Sequence, residues 1–303
     1  MSILEEIARE RRKVVEEEKR LLSLLELERL FEEREALGKA GLSQEALGKA
    51  TLKEAINKEA LGKEVPGEDA TSPKSSGAGG KSFYQALAKK GLSIIGEVKK
   101  ASPSKGIIAE DFPYLQIAKD YEAAGIDAIS CLTEPKYFLG KDQYLKEIAQ
   151  AVSVPVLRKD FLIDPYQIYQ AKLLEAKAIL LIVSLLGERE LKEFLSIAEK
   201  LGLDALVECH DEEEIRCALS VGAEIIGVNN RNLKTFSVNM ENSLSLRNLV
   251  PKGQLFVAES GMSKPEELRI LEEAGVDAVL IGESLMRAES KKEKLQELRR
   301  LLG

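Results

Sequence analysis

Residues 92–106, LSIIGEVKKASPSKG, show the pattern from which the fold is predicted. An apolar run in this stretch ends in charged side chains and is followed by a Ser/Pro/Gly loop. The leucine and isoleucines of the run suit a buried strand. Glu97 and Lys99 are two residues apart, so in an extended chain they point to the same side. Charged groups at the end of a buried strand indicate a functional site, although for one strand alone an internal ion pair is the simpler explanation.

The same pattern recurs seven times further along the chain. Each apolar run ends in polar residues and is followed by an amphipathic stretch of helical length. Glycines 125, 202, 222 and 275 close four of these stretches just before the next run, which is the usual place of a left-handed helix C-cap. The predicted strands therefore comprise the first run and residues 127–132, 154–157, 178–183, 203–207, 225–228, 255–258 and 278–281.

Nearly continuous apolar strands that alternate with helices predict a parallel sheet covered by helices. Eight such units in about 210 residues match an α/β fold of the (β/α)8 TIM-barrel type, whose active sites lie at the C-terminal ends of the strands. All the polar strand ends would then face one mouth. An open doubly wound sheet is the alternative, but SPSKG after Lys99 is not the GxGxxG loop typical of that fold.

Composition excludes several classes of protein. A formal net charge of −7 over 303 residues argues against nucleic acid as a partner. No apolar run approaches the ~20 residues of a membrane span, and the N-terminus has no apolar signal region. We therefore expect a cytoplasmic protein with no membrane partner.

The cysteines and the single histidine narrow the chemistry. Three cysteines without a CxxC spacing indicate reduced thiols, and Cys131 and Cys209 are predicted core residues. One histidine, His210, is too few for a zinc cluster that relies on imidazole or for a Ser/His/Asp hydrolase. No metal is expected, and His210 is interpreted as a residue at the start of a helix, next to Asp211.

The segment before the predicted barrel has a different sequence pattern from the strand and helix units. Residues 1–34 carry apolar residues among dense charges through residue 27, which predicts an N-terminal amphipathic helix that packs on the barrel. Residues 35–81 contain EALGK three times and then a Gly/Ser/Pro-rich tract, and they are interpreted as an inserted helical or flexible excursion. Residues 82–303 form the predicted barrel.

Seven sequence blocks span almost the whole predicted barrel. They are IIGEVKKASPSKGII at Ile94, CLTEPKYFLG at Cys131, VLRKDFLIDPYQIYQAK at Val156, LVECHDEEE at Leu206, IIGVNNRNLKTF at Ile225, ESGMSKPEEL at Glu259 and LIGESLMR at Leu280. In this order they resemble the indole-3-glycerol phosphate synthase family. The leading ILEEIARERRKVV also resembles the N-terminal helix of that family.

The resemblance implies a reaction without a cofactor. In that reaction 1-(2-carboxyphenylamino)-1-deoxyribulose 5-phosphate loses CO2 and water as it closes to indole-3-glycerol phosphate. Lys159 resembles the general acid of the family, and Glu208 resembles its general base. By resemblance, Lys99 with Glu97 and Asn229 are further catalytic residues, and Ser102, Phe138, Phe161 and Arg231 contact the substrate, with core packing as the alternative for the two phenylalanines. Glu259 is a candidate that orients Lys159 or shares in acid–base work, and the alternative is a buried pair that holds Lys159 in place.

The predicted fold class indicates where a phosphate group would bind. In this fold a phosphate often lies at the loops after strands seven and eight, held by backbone N–H groups. Those loops read ESGM and IGES here, so Ser260, Gly261, Gly282 and Glu283 form the predicted phosphate site. Glycine allows the backbone to approach the anion closely.

Two alternatives remain at this point. Another phosphosugar barrel, such as phosphoribosylanthranilate isomerase or the tryptophan synthase α chain, would share the phosphate end but not EVKKASPSKG or LRKDF. A non-catalytic barrel that binds a partner through its EALGK segment is the second alternative, although every catalytic-type residue is present. We expect a monomer with a phosphosugar substrate, other tryptophan-pathway enzymes as candidate partners, and no fused isomerase barrel after Gly303.

Overall fold

A computed structural model describes residues 2–39, 82–232 and 236–303 of the chain. Most of the predicted excursion, residues 40–81, lies outside the described residues. Eight parallel strands follow one another along the chain and close into a barrel, in which each strand pairs with its neighbours in sequence and the last pairs with the first. They are β1 (Ser93–Val98), β2 (Ala128–Leu132), β3 (Val156–Lys159), β4 (Ala178–Ile182), β5 (Asp204–Cys209), β6 (Ile225–Asn229), β7 (Leu255–Glu259) and β8 (Ala278–Ile281).

The predicted (β/α)8 barrel is confirmed, and the strand bounds differ from the predicted ones by one or two residues. β3 begins at Val156 rather than Val154, because Pro155 has no N–H to donate to a sheet. Val183 lies in the following helix instead of in β4. β5, β6 and β7 extend into their polar ends, so that Glu208, Asn229 and Glu259 are strand residues.

Helices cover the outside of the barrel. Glycine ends four of the helical segments with a positive φ, at Gly125 (78°), Gly202 (63°), Gly222 (88°) and Gly275 (80°), as the sequence predicts. The helices are α1 (Ile3–Leu21), α2 (Leu24–Lys39), α3 (Phe83–Leu87), α4 (Tyr114–Ala123), α5 (Asp142–Ala151), α6 (Pro165–Leu173), α7 (Val183–Lys200), α8 (Glu212–Ser220), α9 (Glu241–Leu246), α10 (Pro265–Glu273), α11 (Glu283–Arg287) and α12 (Lys291–Arg299).

Side chains from alternate strand positions fill the barrel interior. Ile95, Leu157, Leu206 and Val257 belong to this inner cluster and are almost completely buried. Between the strands and the outer helices lies the larger apolar layer, which includes the buried Cys131 and Cys209 as predicted. The barrel is therefore a packed core, and space for a ligand exists only at an end.

α3 closes the N-terminal end of the barrel. Phe83 and Leu87 pack against the inner cluster. The Tyr84 backbone N–H donates to the carboxylate of Asp204, the first residue of β5, at 2.8 Å, and its hydroxyl donates to the Gly253 carbonyl just before β7 at 3.2 Å. With that end covered, the opposite end, called the mouth below, is the one that remains open.

The leading segment contains two helices where the hydrophobic pattern predicts one through residue 27. α1 ends at Leu21 because Ser23 begins α2 with a cap: the Ser23 N–H donates to Glu26 Oε2 at 2.7 Å, and the Glu26 N–H donates back to Ser23 Oγ. α1 and α2 pack on α6, where Val15 and Leu27 contact Leu173. Ser-x-x-Glu at this point is the sequence signal of the break.

Candidate active site

A lysine and two carboxylates form a buried ion-pair cluster at the mouth. Lys159 Nζ, at the end of β3, lies 3.0 Å from Glu208 Oε2 and 2.8 Å from Glu259 Oε2. The Lys159 side chain is 12% exposed, whereas those of Glu208 and Glu259 are 3% and 2% exposed. Lysine and glutamate are rarely buried without a partner, so each group depends on the others for its charge.

The period of the strands places these three groups together. Leu157, Leu206 and Val257 point into the barrel interior. The residues two positions later on the same strands are Lys159, Glu208 and Glu259, and they share that direction. Parallel strands end at the same side of a barrel, so inward-facing charges at three strand ends meet at the mouth.

Glu208 has the most complete set of partners in the cluster. Besides Lys159, it accepts a hydrogen bond from Asn229 Nδ2 at 3.2 Å, and His210 Nε2 lies 3.4 Å from its Oε1. Burial alone would favour the neutral acid, but the Lys159 ammonium and the His210 ring outweigh it and hold the pKa of Glu208 well below its usual range. Glu208 is therefore a carboxylate at neutral pH.

Glu259 differs from Glu208 in its hydrogen bonds and in the direction of its pKa shift. Its Oε1 is buried and has no hydrogen-bond partner among the described residues. Burial and the negative charge of Glu208 together outweigh the attraction to Lys159 and raise the pKa of Glu259 to about 7. The two carboxylates thus have separated pKa values, which is the arrangement that acid–base sites use.

The same two carboxylates determine the charge of Lys159. Burial would favour the neutral amine, but the attraction of Glu208 and Glu259 is stronger and raises the pKa of Lys159 above its ordinary value. The lysine is therefore an ammonium in the resting site. Its proton is available to a basic oxygen that comes within hydrogen-bond distance.

Glu97 and Lys99 form a second ion pair at the mouth, as their spacing predicts. Glu97 is 5% exposed and lies on β1, next to β8. A Cβ on Gly282, just after β8, would overlap the Glu97 carboxylate and crowd Lys99 Nζ. Gly282 therefore leaves the space that this pair occupies. The structure brings all six predicted catalytic residues to the mouth.

The predicted substrate-binding residues line one pocket together with Lys99. The pocket contains about 510 Å³ of empty space, including its open side. Phe138 and Phe161 lie against each other with ring centroids 5.9 Å apart, and Ser102 and Arg231 supply polar groups. The remaining lining residues are Ile3, Leu4, Ile7, Pro103, Ser104, Ile108, Phe236 and Glu283.

The first turns of α1 form an apolar wall of this pocket, which the sequence analysis does not predict. Ile3, Leu4 and Ile7 belong to the pocket lining. The lining residues Phe161, Arg231 and Glu283 closely follow the C-terminal ends of β3, β6 and β8, so the pocket is at the mouth. An amphipathic pattern shows that a helix has an apolar face but not which surface the face covers. The ion-pair cluster around Lys159 is at the same mouth, but its residues are not part of the pocket lining.

The predicted phosphate residues lie in the two loops where they are expected, but they differ in their access to the pocket. Glu283 lines the pocket, and its carboxylate pairs with Arg287 at 3.1 Å and lies 3.7 Å from Lys105 Nζ. Gly282 immediately precedes α11, while Ser260 and Gly261 have positive φ angles of 67° and 96°. Ser260, Gly261 and Gly282 are not part of the pocket lining.

A buried network of charged residues around Asp160, directly after β3, is a second feature that the sequence analysis misses. The Arg11 guanidinium of α1 binds both carboxylate oxygens of Asp160, at 3.2 and 3.0 Å. Asp160 also faces Arg158, which is completely buried and donates to Asp142 at 2.9 Å. In the sequence RKD, Arg158 and Asp160 point away from the barrel interior, whereas Lys159 points towards it. The alternation along β3 was the available signal.

Fold and site together define a (β/α)8-barrel protein with an acid–base cluster at its mouth. The family model described as indole-3-glycerol phosphate synthase matches residues 49–298. The chain belongs to the indole-3-glycerol phosphate synthase family. This confirms the predicted resemblance over the other two phosphosugar barrels.

Individual relatives agree with the family match. The chain is 57% identical over 220 residues to an indole-3-glycerol phosphate synthase of Lachnoclostridium phytofermentans, covering 73% of this chain and 81% of the relative. It is 56% identical over 217 residues to the protein of that name from Ruminiclostridium cellulolyticum, covering 72% of this chain and 84% of the relative. Both alignments cover most of the relative's length.

Solved structures show the same fold at low identity. The 3-hexulose-6-phosphate synthase of Salmonella typhimurium superposes with a TM-score of 0.57 at 14% identity, over 69% of this chain and 98% of that one. Thiamine phosphate pyrophosphorylase of Pyrococcus furiosus gives 0.54 at 17% identity, over 69% and 95%. Within the described ranges, no helix is long and apolar enough to cross a membrane.

Proposed function

We propose that the mouth of this barrel converts 1-(2-carboxyphenylamino)-1-deoxyribulose 5-phosphate to indole-3-glycerol phosphate, CO2 and water. The observation that carries the proposal is the ammonium of Lys159, held by Glu208 and Glu259 at the same mouth as a pocket that is lined by apolar side chains and by Lys99 and Arg231. The family and the substrate class agree with this chemistry.

The pocket walls match the parts of that substrate. Phe138, Phe161 and the α1 residues offer the apolar surface that an aromatic ring needs. Lys99 and Arg231 supply positive charge for its carboxylate or phosphate. We assign the phosphate to the loops of Ser260, Gly261, Gly282 and Glu283, whose backbone N–H groups would donate to it.

Ring closure requires a proton donor, and we assign that role to Lys159, whose charged form is stabilised by Glu208 and Glu259. The aromatic carbon that bears the carboxyl group attacks the ribulose carbonyl carbon, and the carbonyl electron pair moves to oxygen. That oxygen takes a proton from the Lys159 ammonium and becomes a hydroxyl. CO2 then leaves, and the electrons of its bond to the ring restore the aromatic system. The electron balance needs no oxidant or reductant.

Loss of water completes the reaction and requires a base and an acid. Glu208, ionised because its pKa is lowered by Lys159 and His210, takes a proton from the CH2 carbon between the nitrogen and the hydroxyl-bearing carbon. The electrons of that C–H bond form the indole double bond as the C–O bond breaks. The hydroxyl leaves with a proton from an acid at the site. Glu259, with a pKa raised to about 7, keeps Lys159 in place and can exchange a proton with it. Asn229 orients the base through its amide.

The proposal is tested with the carboxyphenylamino-deoxyribulose phosphate and the purified chain. Indole absorbance and CO2 release should rise together, and the absence of both would contradict the proposed function. Lys159→Met should lower kcat by about 10²–10⁴-fold or more with substrate still bound, because the acid acts in the transition state. Glu208→Gln should block the step after ring closure. Lys136→Met removes a lysine that is 55% exposed and should leave kcat unchanged.

Three further expectations belong to this proposal. We propose that the chain acts as a monomer, that it works in the cytoplasm, and that it associates with other tryptophan-pathway enzymes. Size-exclusion chromatography with light scattering measures the first, and pull-down with those enzymes measures the last. A dimer in the first experiment would contradict the monomer.

A further inference from the structure

The only histidine of the chain connects the mouth cluster to the start of α8. His210 follows β5 and directly precedes Asp211, the N-cap of α8. Its ring lies between two carboxylates: Nδ1 is 3.0 Å from Glu214 Oε2, and Nε2 is 3.4 Å from Glu208 Oε1. The side chain is 23% exposed, and the buried Nε2 makes no hydrogen bond to any described residue, so it faces Glu208 as an ion-pair contact.

The surroundings of the ring favour its charged form. Glu208 of β5 and Glu214 of α8 face its two nitrogens, and Asn242 of α9 is a neutral neighbour that donates to the His210 backbone carbonyl at 3.5 Å. Burial opposes the charge, but hydrogen bonding and attraction to the two carboxylates outweigh it and raise the pKa of His210 to about 10. Both ring nitrogens then carry a proton at neutral pH.

A second cation next to Glu208 solves a difficulty in the proposed mechanism. When Lys159 gives its proton to the substrate, it becomes a neutral amine, and Glu208 loses the ammonium that lies 3.0 Å away. A buried carboxylate without a counter-charge would take up a proton and cease to be a base. The His210 ring contacts Glu208 from the opposite oxygen, so its charge remains through this step.

We propose that His210 is a positioning residue: its imidazolium, held by Glu214, keeps Glu208 ionised and aligned while Lys159 alternates between ammonium and amine. This inference rests on the proposed function only for the role of Glu208 as a base. No covalent step involves the ring. Nδ1 is hydrogen-bonded to Glu214, and Nε2 faces Glu208 as an ion-pair contact.

The first experiment tests the charge of the ring independently of any substrate. Because the chain has one histidine, its imidazole gives one assignable set of NMR signals, which are followed across neutral and alkaline pH. The wild type should titrate well above the ordinary value of about 6.5. Glu214→Gln and Glu208→Gln should each lower that pKa, since each removes one facing charge. A wild-type histidine that titrates near the ordinary value would overturn the proposal, whether or not the enzyme turns over its substrate.

The second experiment tests the effect on catalysis. In His210→Gln the neutral amide can still contact Glu208 but carries no charge, so the pKa of Glu208 rises. The acid limb of the pH profile of kcat should move to higher pH by about one unit, with kcat at neutral pH about tenfold lower and KM nearly unchanged. Glu214→Gln should give a smaller shift of the same sign.

The matched control is Glu212→Gln, which removes an exposed carboxylate from the same turn of α8. It should leave the pH profile in place. A His210→Gln enzyme with an unchanged acid limb and unchanged kcat would overturn the proposal. If that variant does not fold, the histidine titration of the wild type and of Glu214→Gln still decides the question.

Discussion

The Glu259 carboxylate of β7 occupies space in the barrel interior that a side chain at Gly227 of β6 would need. A Cβ on Gly227 would lie well under 3.0 Å from Glu259 Oε1, closer than real Cβ atoms approach a neighbour. The contacting atom belongs to a buried side chain that is held by Lys159, so it cannot simply turn away. The carboxylate next to the proposed acid therefore has its position because β6 carries a glycine there.

Gly227→Ala should consequently displace Glu259 and disturb Lys159. We expect a loss of about 1–3 kcal/mol in the free energy of unfolding, the usual cost of overpacking a core, together with a lower kcat. Urea unfolding and steady-state kinetics measure the two effects. In a Glu259→Ala background the close contact that remains is with Leu206 Cδ1 at 3.1 Å, so the same substitution should cost much less. Equal costs in both backgrounds would show that the clash is with another group.

Glu259→Gln should change the alkaline side of the pH profile. The charge of Glu259 helps to raise the pKa of Lys159, and the glutamine carries none. The proposed acid must be protonated to act, so the basic limb of kcat/KM should move to lower pH. Glu266→Gln, at an exposed position of α10, is the control. A basic limb that stays in place would mean that Glu259 does not control the charge of Lys159.

Arg11→Ala should destabilise the protein severely. It leaves the Asp160 carboxylate buried with only part of its partners, and removing one member of a buried ion pair typically costs about 3–5 kcal/mol. Arg12→Ala removes an exposed arginine from the next position of α1 and should have little effect. The comparison uses the midpoints of urea unfolding. Similar midpoints for the two variants would contradict a stabilising role of the Arg11–Asp160 pair.

Asp160 should also contribute to the acid sensitivity of the fold. Burial raises its pKa, but Arg11 and Arg158 outweigh burial and leave the pKa of Asp160 lowered. The stabilisation from this group is fully present above the unfolded pKa of about 3.9 and is lost as the pH falls through the lower folded value. The difference in unfolding free energy between the wild type and Asp160→Asn should therefore shrink below about pH 4. A difference that is constant over that range would assign the stabilisation to packing.

The sequence predicts the barrel well because its signals are local. Apolar runs, glycines at helix ends and the two-residue period place every strand within two residues, and the same period puts Lys159, Glu208 and Glu259 at one mouth. Pairings between distant segments have no such signal. Nothing local connects Arg11 to Asp160 or places Leu4 in the pocket wall, because each contact depends on how α1 crosses the finished barrel.

The Arg11–Asp160 pair joins residues that are 149 positions apart in the chain, and this separation has a consequence for the order of folding. The βα units of the barrel form from neighbouring segments, whereas the Arg11 guanidinium has no buried partner until β3 and the residue after it exist. We therefore expect α1 to dock only after the first three strands have assembled. The apolar wall formed by Ile3, Leu4 and Ile7 would then be added to strands that already carry Lys159 at the mouth.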